Sequence, residues 1–149
     1  MDVLVAKLRE VLAADPDAKS LVFLESNHSI DWLQAELPAH GFECRTLKGD
    51  MSLAQRTRAL RDFRYSPPCT IFLLSVRAGA VGINLTSANH VFLLDPCLNA
   101  ALEEQAIGRI WRMGQTREVH VWRLFCENTV EERILALRPG YATRPDVAQ

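Results

Sequence analysis

Short runs of consecutive apolar residues, separated by segments with helical periodicity, constrain the fold of this chain most. The runs "SLVFLES" (20–26), "CTIFLLS" (69–75) and "HVFLLDP" (90–96) have the length and residue types of β-strands. Because their apolar residues are consecutive and do not alternate with polar ones, both faces of each strand must be covered. Buried strands that alternate with helices are typical of α/β proteins. We therefore predict a three-layer α/β domain in which helices flank a mainly parallel central sheet.

The segments between these runs complete the predicted order of elements. Periodicity predicts helices within 3–14, 27–41, 52–63, 100–113 and 129–137, and further strands at 42–49 and 118–125. Ser52 and Gln55 have the spacing of a capping box at the start of the third helix. We divide the chain into an N-terminal amphipathic helix (1–18), one folded domain (19–138) and a flexible tail (139–149).

Charge and cysteine usage exclude several classes of protein. The chain has 17 basic and 18 acidic residues, so any nucleic-acid site must be a local patch. The four cysteines form no C-x-x-C pair and lie in or beside apolar runs, which favours reduced, buried thiols over a zinc site or a disulfide. The four histidines show no metal-ligand spacing, so no metal site is predicted. The apolar runs are too short to cross a bilayer.

Two kinds of catalytic group are not indicated by the sequence. The 149 residues contain no G-x-x-x-x-G-K-[ST] loop, so they cannot hold a triphosphate and its magnesium ion in the P-loop manner. The carboxylates of Glu103 and Glu104 are adjacent, and adjacent residues on a helix do not face each other. We expect both to lie on a solvated face rather than to act as an acid–base pair.

The loop "SVRAGAVGINL" (75–85) follows a predicted strand and carries polar residues suited to a ligand. The hydroxyl of Ser75 can donate to a phosphate, and the positive charge of Arg77 would attract the same group. The amide of Asn84 can donate to and accept from a ribose hydroxyl. Gly79 and Gly82 allow positive φ angles and a close approach of backbone to ligand. The alternative is a tight turn between strand and helix that needs glycine for its geometry alone, and the residues leave both interpretations open.

The stretch "QAIGRIWRMGQ" (105–115) carries a second candidate site. On the helix expected over 100–113, Gln105, Arg109 and Arg112 fall within about 60° of one another. They lie beside an apolar stripe that would seat the helix on the sheet, made of Leu102, Ala106, Ile110 and Met113; Ile107 and Trp111 suggest a second covered patch. A half-buried pair of arginines is costly unless an anion meets it, which favours an anion site. The alternative is salt bridges to local acids such as Glu103, Glu104 or Asp95.

The order of these pieces resembles the C-terminal motor lobe of the second helicase superfamily, and specifically the Swi/Snf-like DNA translocases. "SLVFLES" resembles motif IV, "LLSVRAGAVGINLTSANHV" motif V, and "DPCLNAALEEQAIGRIWRMGQTREV" the segment that ends in motif VI, with "TVEERI" as the closing helix. The resemblance runs from about Lys19 to Leu137 and implies that 19–138 is a RecA-like helicase C-terminal domain. The "QAIGR" core with "DPxLN" is similar to the branch that contains ring-finger-bearing repair translocases and ubiquitin ligases.

The resemblance implies a role for each residue at the nucleotide. Arg109 and Arg112 would reach the γ-phosphate of an ATP held by another lobe, with Arg112 as the arginine finger. Gln105 would help to set that geometry. Gly82 and Asn84 would line the nucleotide edge of the cleft.

The resemblance also implies contacts with DNA. Ser75 and Arg77 would touch backbone phosphates of the tracking strand, and Lys48 and Gly49 would lie near the same strand. This loop departs from the L-D-G-S pattern of the family, because Lys48 replaces the aspartate and Asp50 replaces the serine. The lysine favours phosphate and the aspartate opposes it.

The implied function is the second motor lobe of an ATP-dependent DNA translocase, a hydrolase of chromatin remodelling or DNA repair. Its cofactor would be ATP with Mg²⁺, both held mainly by an N-terminal RecA-like lobe. Its partners would be the backbone of double-stranded DNA, that lobe, and nucleosomal or repair proteins, with no membrane involved. It would be nuclear in a eukaryote and cytoplasmic otherwise. The 149 residues alone are expected not to hydrolyse ATP.

Two alternatives stay open at this point. The first is a non-catalytic DNA- or protein-binding module derived from such a lobe. The second is a domain that binds a small-molecule phosphate or nucleotide and merely shares the fold.

Overall fold

The computed structural model describes residues 1–79, 82–96 and 99–137. Its strands are β1 (Ser20–Leu24), β2 (Glu43–Leu47), β3 (Cys69–Ser75), β4 (His90–Leu93) and β5 (His120–Arg123). Its α-helices are α1 (Asp2–Ala14), α2 (Asn27–Glu36), α3 (Leu53–Tyr65), α4 (Val76–Gly79), α5 (Ala100–Ile107) and α6 (Val130–Ala136), and a 3₁₀ helix (Leu37–His40) continues α2. The tail expected over 139–149 lies outside the described residues. Among the residues described, no helix has the length and apolar character that a membrane span requires.

The five strands form one sheet in the order β2-β3-β1-β4-β5, and every pairing is parallel. β1 lies at the centre, with Leu21 beside Phe72 of β3 and beside Val91 of β4. All five residues of β1 are buried, as the unbroken apolar runs predict for strands covered on both faces. The predicted α/β fold class is confirmed.

Alternate strand residues build two separate hydrophobic cores, one on each face of the sheet. Val22 and Leu24 point towards α1 and α2, whereas Leu21 and Phe23 point towards the side of α3 and α5. The buried residues of α1 in the first core are Leu4, Val5, Leu8 and Val11. The amphipathic N-terminal helix therefore packs on the sheet as part of the first core.

Local sequence signals explain where the helices begin and end. The predicted capping box at α3 is confirmed, because the Gln55 amide donates to Ser52 Oγ (3.3 Å) and the Ser52 amide donates to Gln55 Oε1 (2.8 Å). After α2 and its 3₁₀ extension, Gly41 has φ +87°, a conformation that favours glycine. The chain can therefore turn directly into β2.

Two cationic side chains tie together the amino edge of the sheet. The Lys19 ammonium donates to the carbonyl oxygens of Phe63, of Ser66 (3.1 Å) and of Cys69 (3.1 Å), and thereby caps the end of α3. Burial lowers the pKa of Lys19. Arg117 forms an ion pair with Asp15 and joins the end of α1 to the start of β5. Helices and strands from both halves of the chain are therefore fixed to one another at this edge.

Two expectations about side chains are wrong in part. Glu103 does not lie on a solvated face: its side chain is 2% exposed and accepts from Arg123 Nε (3.5 Å), because α5 turns this side chain towards β5. Cys44 and Cys69 are free and buried as expected, and burial raises the pKa of the Cys69 thiol to about 11. Cys126 is exposed, because it lies in the loop that follows β5. Cys97 lies outside the described residues.

Candidate functional site

The first candidate segment begins where β3 ends. Ser75 Oγ accepts a hydrogen bond from the Ala78 amide (3.0 Å), so this side chain caps the short helix α4. Its hydroxyl hydrogen can still donate to a ligand. Arg77 lies on α4 and is exposed, and Gly79 ends that helix. The structure therefore presents one hydroxyl and one guanidinium at the carboxyl edge of the sheet.

The segment continues from Gly82 towards β4. Gly82 has φ +27°, and a Cβ at this position would meet no atom within 4 Å among the described residues. Its backbone conformation, rather than crowding, is therefore what favours glycine here. Asn84 is exposed, and its Oδ1 accepts from the Thr86 amide (3.1 Å), which fixes an Asx turn and leaves the side-chain NH₂ group to donate.

The helix expected over 100–113 is shorter than predicted, and α5 ends at Ile107. Beyond this point the Arg109 carbonyl accepts from the amide of Leu85 (3.3 Å), in the first candidate segment, and so it does not continue a helical ladder. Residues 108–115 form a hydrogen-bonded turn, which closes at Gly114 with φ +101°. Gln105, Arg109 and Arg112 therefore do not share one helix, and the prediction that they lie within about 60° on a common helical face is wrong.

The turn nevertheless presents its cationic residues outwards. Ile110 is completely buried in the core beside α3 and α5, while Arg109 is half-buried and Arg112 is exposed. Gln105, on the last turn of α5, is also exposed. Of the predicted apolar stripe, Ala106 and Ile110 are buried and Leu102 is partly buried. The prediction is wrong for Met113, which is fully exposed because the helix ends before that residue. The covered patch predicted at Trp111 is also wrong.

The Gln115 side chain holds the turn against the first segment. Its Nε2 donates to the carbonyl oxygens of Ala88 (2.8 Å) and Thr86 (3.2 Å), and its Oε1 accepts from the Arg117 amide (3.0 Å). The two candidate segments are therefore one hydrogen-bonded unit. Sequence reasoning assigned Gln115 no role, although it stands in the motif, because the carbonyls that it binds lie 27 and 29 residues earlier in the chain.

The acids expected as alternative partners of the arginines are engaged elsewhere or exposed. Glu103 binds Arg123, and Asp95 Oδ2 accepts from the Glu25 amide (2.8 Å). Glu104 is exposed. Within the described part of the chain, no ion pair joins Arg112 to any of these acids.

The predicted DNA loop lies at the end of β2. Leu47 pairs with Leu74, so Lys48, which follows β2, and Ser75, the last residue of β3, lie at the same edge of the sheet. The Lys48 ammonium forms an ion pair with Asp31 of α2. The Gly49 carbonyl accepts from Arg56 Nη2 (2.6 Å), which fixes the loop against α3. The structure therefore brings Lys48, Gly49, Ser75 and Arg77 to one edge, but the Lys48 charge is already partly neutralised.

A cleft of about 360 Å³ lies between the last turns of α3 and the segment 83–87. Asn84 lines this cleft, and Arg61 and Arg64 line it from α3. Among the described residues, no group of three or more His, Cys, Asp or Glu side chains could hold a metal ion. The rest of the cleft lining is largely apolar, with Leu60, Phe63 and Ile83 among its residues. The cleft therefore combines an apolar wall with two guanidinium groups and one amide that can donate to an anion.

The chain matches known proteins over most of its length. The model of one family, the helicase conserved C-terminal domain, matches residues 4–114. The chain is 41% identical over 136 residues to the DNA repair protein RAD5 of Cryptococcus neoformans var. neoformans, which covers 91% of this chain and 11% of that protein. It is 41% identical over 121 residues to the DNA repair protein RAD5A of Arabidopsis thaliana, with 81% of this chain and 12% of that protein covered.

A solved structure has the same fold. The C-terminal part of the Fun30 ATPase domain superposes with a TM-score of 0.85 and 32% identity, over 91% of this chain and 43% of that one. The chain thus spans a little over a tenth of the length of the two curated relatives and less than half of the solved chain.

Proposed function

Because this chain belongs to the helicase conserved C-terminal domain family, we propose that it is the second motor lobe of a Swi/Snf-like, ATP-dependent DNA translocase. The observation that carries the proposal is the hydrogen bond from the Leu85 amide to the Arg109 carbonyl (3.3 Å), reinforced by Gln115. It joins the segment of Gly82 and Asn84 to the turn of the two arginines. A motor lobe needs such a rigid unit, because catalysis by charge stabilisation requires donors held in place before the reaction.

Arg112 is the proposed arginine finger. A guanidinium offers a planar fork of donors that matches phosphoryl oxygens, and the exposure of Arg112 leaves this fork accessible. Arg109 lies beside it, and Gln105 extends from the last turn of α5. Such a finger stabilises the negative charge that develops on the transferring phosphoryl group and is worth about 10³–10⁵ in rate.

The nucleotide would be ATP with Mg²⁺, bound mainly by an N-terminal lobe that supplies the phosphate-binding loop. On the side of this chain, Arg109 and Arg112 would contact the γ-phosphate, and Gly82 and Asn84 would border the nucleotide. The bound magnesium ion would neutralise charge between the phosphates. Closure of the two lobes would exclude water and bring Arg112 to the reacting group, and release of products would allow the lobes to separate.

The carboxyl edge of the sheet would contact the DNA backbone. Ser75, Arg77, Lys48 and Gly49 lie there at adjacent strand ends, and the exposed guanidinium of Arg77 and the hydroxyl of Ser75 can donate to phosphate oxygens. Phosphate contacts of this kind position a protein on DNA without reading its sequence. Alternate closure and opening of the lobes would then move the motor along the duplex. The RAD5 relatives are named as DNA repair proteins, and these names support a role in repair. The location would be the nucleus of a eukaryote, and chromatin remodelling would be the related role.

A two-lobe chimera tests the proposal. This chain would replace the matching segment of the Cryptococcus neoformans RAD5 protein, and DNA-stimulated ATP hydrolysis would be measured. Arg112→Ala should lower kcat by about 10³-fold or more and leave the Kd for DNA within about twofold, because charge at the γ-phosphate does not contribute to the DNA contacts. The control is Arg9→Ala, an exposed arginine on α1, which should change neither quantity.

Three outcomes would contradict the proposal. Equal losses of DNA binding and turnover in Arg112→Ala would remove the finger assignment. A chimera that binds DNA normally but does not hydrolyse ATP would favour the alternative of a non-catalytic binding module. The 149-residue chain alone should show no ATP hydrolysis, and DNA-stimulated turnover by the purified chain would contradict its role as one half of an active site.

A further inference from the structure

The turn that carries Arg112 also exposes two large apolar side chains. Trp111 is 79% exposed and Met113 is 100% exposed, and they flank Arg112 in the sequence. The preceding residue, Ile110, is completely buried. The turn is therefore anchored by one apolar residue and directs the next three side chains away from the core. An exposed tryptophan beside an exposed methionine is a costly arrangement in water, because each presents apolar area that association would remove from solvent.

The backbone of the turn is fixed by its own hydrogen bonds. The Trp111 amide donates to the Ile107 carbonyl (3.2 Å), the Arg112 amide to Ile110 (3.0 Å), and the Gln115 amide to Arg112 (3.0 Å). The Gln115 side chain adds the contacts to Thr86 and Ala88. Because the backbone is already ordered, little backbone entropy remains to be lost on binding, and the remaining conformational cost is that of ordering the side chains.

We propose that Trp111 and Met113 form an apolar knuckle that docks on the N-terminal motor lobe and positions Arg112 at the nucleotide. This inference rests on the proposed function and names the surface through which the two lobes meet. Tryptophan and arginine dominate the energetics of protein interfaces, and methionine is enriched there. Arg112 stands between the two apolar residues on one short turn, and all three side chains are exposed. A surface that brings the nucleotide to Arg112 therefore comes close to both.

The size of the knuckle argues for a lobe of the same assembly rather than an independent partner. An aromatic side chain buries about 150–250 Å², so the two residues together fall well short of the roughly 800 Å² per partner of a stable interface. A second copy of the chain would bind such a patch only weakly. A lobe joined to it in one polypeptide is held at high effective concentration, so a small contact is sufficient. The chain covers 43% of the related Fun30 chain, so that relative has room for further structure.

Trp111 and Met113 are thus positioning residues rather than catalytic ones. They should be buried when the lobes close on ATP and exposed when the lobes separate. Their contact would set the distance from Arg112 to the γ-phosphate, and a misplacement of about 1 Å can lower a rate 100-fold.

Fluorine NMR can observe this burial directly. The chain, labelled with 5-fluorotryptophan, would be joined by protein ligation to the unlabelled N-terminal motor lobe of the Cryptococcus neoformans RAD5 protein, and double-stranded DNA and ADP–aluminium fluoride would be added; the unligated chain is the reference without the lobe. Three resonances arise, from Trp32, Trp111 and Trp122, and Trp111→Phe assigns the one of interest. The Trp111 resonance should lose its solvent isotope shift only when lobe and nucleotide are both present. Trp32, 49% exposed on α2, is the internal control and should not change.

Three NMR results would overturn the proposal. The first is a ligated protein that hydrolyses ATP while Trp111 stays exposed. The second is a response of Trp111 in the unligated chain to nucleotide alone, which indicates stacking on the base. The third is a response to the concentration of the unligated chain alone, which indicates self-association.

Variants of the chimera provide a second test. Trp111→Ala and Met113→Ala, combined in one variant, should lower kcat/KM for ATP about 30-fold, the effect of losing one interface hot spot, whereas Trp32→Ala should stay within about twofold. Arg112→Gln should abolish turnover and still bury Trp111. If Arg112→Gln abolishes turnover and Trp111 remains exposed, only the docking proposal fails. If Arg112→Gln leaves turnover intact, the proposed function itself fails.

Discussion

The Arg112 turn and the Lys48 loop are two cationic regions that the sequence presents as equivalent phosphate contacts, but the structure treats them differently. Arg112 is exposed on a turn held by backbone hydrogen bonds and by Gln115. Lys48 is only 19% exposed and is paired with Asp31 of a neighbouring helix. The type of a residue indicates which ligand it can bind, but contacts from distant parts of the chain decide whether its charge is available.

The difference follows from what lies next to each cation. Beside Arg112, the burial of Ile110 fixes which side chains of the turn point outwards. Beside Lys48, α2 packs near the carboxyl end of β2, so Asp31, 17 residues earlier, reaches the ammonium group. The rigid turn therefore leaves the Arg112 guanidinium accessible to a partner, whereas the ion pair with Asp31 limits the access of a partner to Lys48.

Replacing arginine by lysine in the Arg112 turn, and lysine by arginine in the Lys48 loop, should give the largest difference in effect between the two regions. In the chimera, Arg112→Lys keeps the charge but removes the planar fork, so kcat should fall about 10³-fold, the lower end of the worth of an arginine finger. Lys48→Arg should change the Kd for DNA by no more than about twofold, since a backbone phosphate accepts either cation. ATP turnover and DNA titration measure the two effects. A lysine at 112 that retains full turnover would show that charge alone is required there.

The rigidity of the turn can be tested at Gln115. Gln115→Ala leaves the buried Ala88 carbonyl without its donor, which should lower the free energy of unfolding by about 1–3 kcal/mol. Movement of the turn should also lower kcat up to about 100-fold. Urea denaturation and ATP turnover measure the two losses, with Gln34→Ala, an exposed glutamine of α2, as the control. A variant that loses stability but keeps full kcat would show that the position of Arg112 does not depend on this contact.

The sequence predicts the fold far better than it predicts the site. Consecutive apolar residues in β1 and β3 require burial on both faces, and this requirement is local enough to identify the layers and the parallel sheet. The end of α5 was missed, because it depends on a hydrogen bond between Arg109 and Leu85, 24 residues earlier. The burial of Glu103 and the pairing of Lys48 were missed for the same reason: their partners come from other elements, and helical periodicity carries no information about them.

A buried histidine, His90, lies next to the segment that supports the Arg112 turn. The segment that Gln115 holds runs directly into His90, which is buried at the start of β4 and whose Nδ1 accepts from Trp122 Nε1 (3.3 Å). Burial, with a smaller contribution from His120, lowers the pKa of His90 from 6.5 to about 4. The unfolded chain therefore binds a proton at this histidine below about pH 6.5, whereas the folded chain does not until the pH approaches 4.

Stability should accordingly fall as the pH is lowered from about 6.5 to 4, with a contribution from His90 of at most about 1.4 kcal/mol per pH unit. Above pH 6.5 this residue should contribute no pH dependence. Urea denaturation at a series of pH values measures the slope, and His90→Gln, which keeps an acceptor but does not titrate, should flatten it. An unchanged slope in this variant would assign the acid sensitivity to another group.

The smallest expected effect lies at the Lys48 loop. Asp31→Asn removes the carboxylate that holds the Lys48 ammonium, so the cation becomes available to a DNA phosphate. Exposed ion pairs are worth about 0.2–1 kcal/mol, so the affinity for DNA should rise by no more than about fivefold. The gain should be largest at low salt, because one additional phosphate contact steepens the salt dependence of binding. Glu36→Gln, at the last residue of the same helix, makes the same change of charge five residues from Asp31 and should have a smaller effect. Equal gains in the two variants would mean that net charge alone governs the binding. The ion pair between Lys48 and Asp31 would then not limit the contact of Lys48 with DNA.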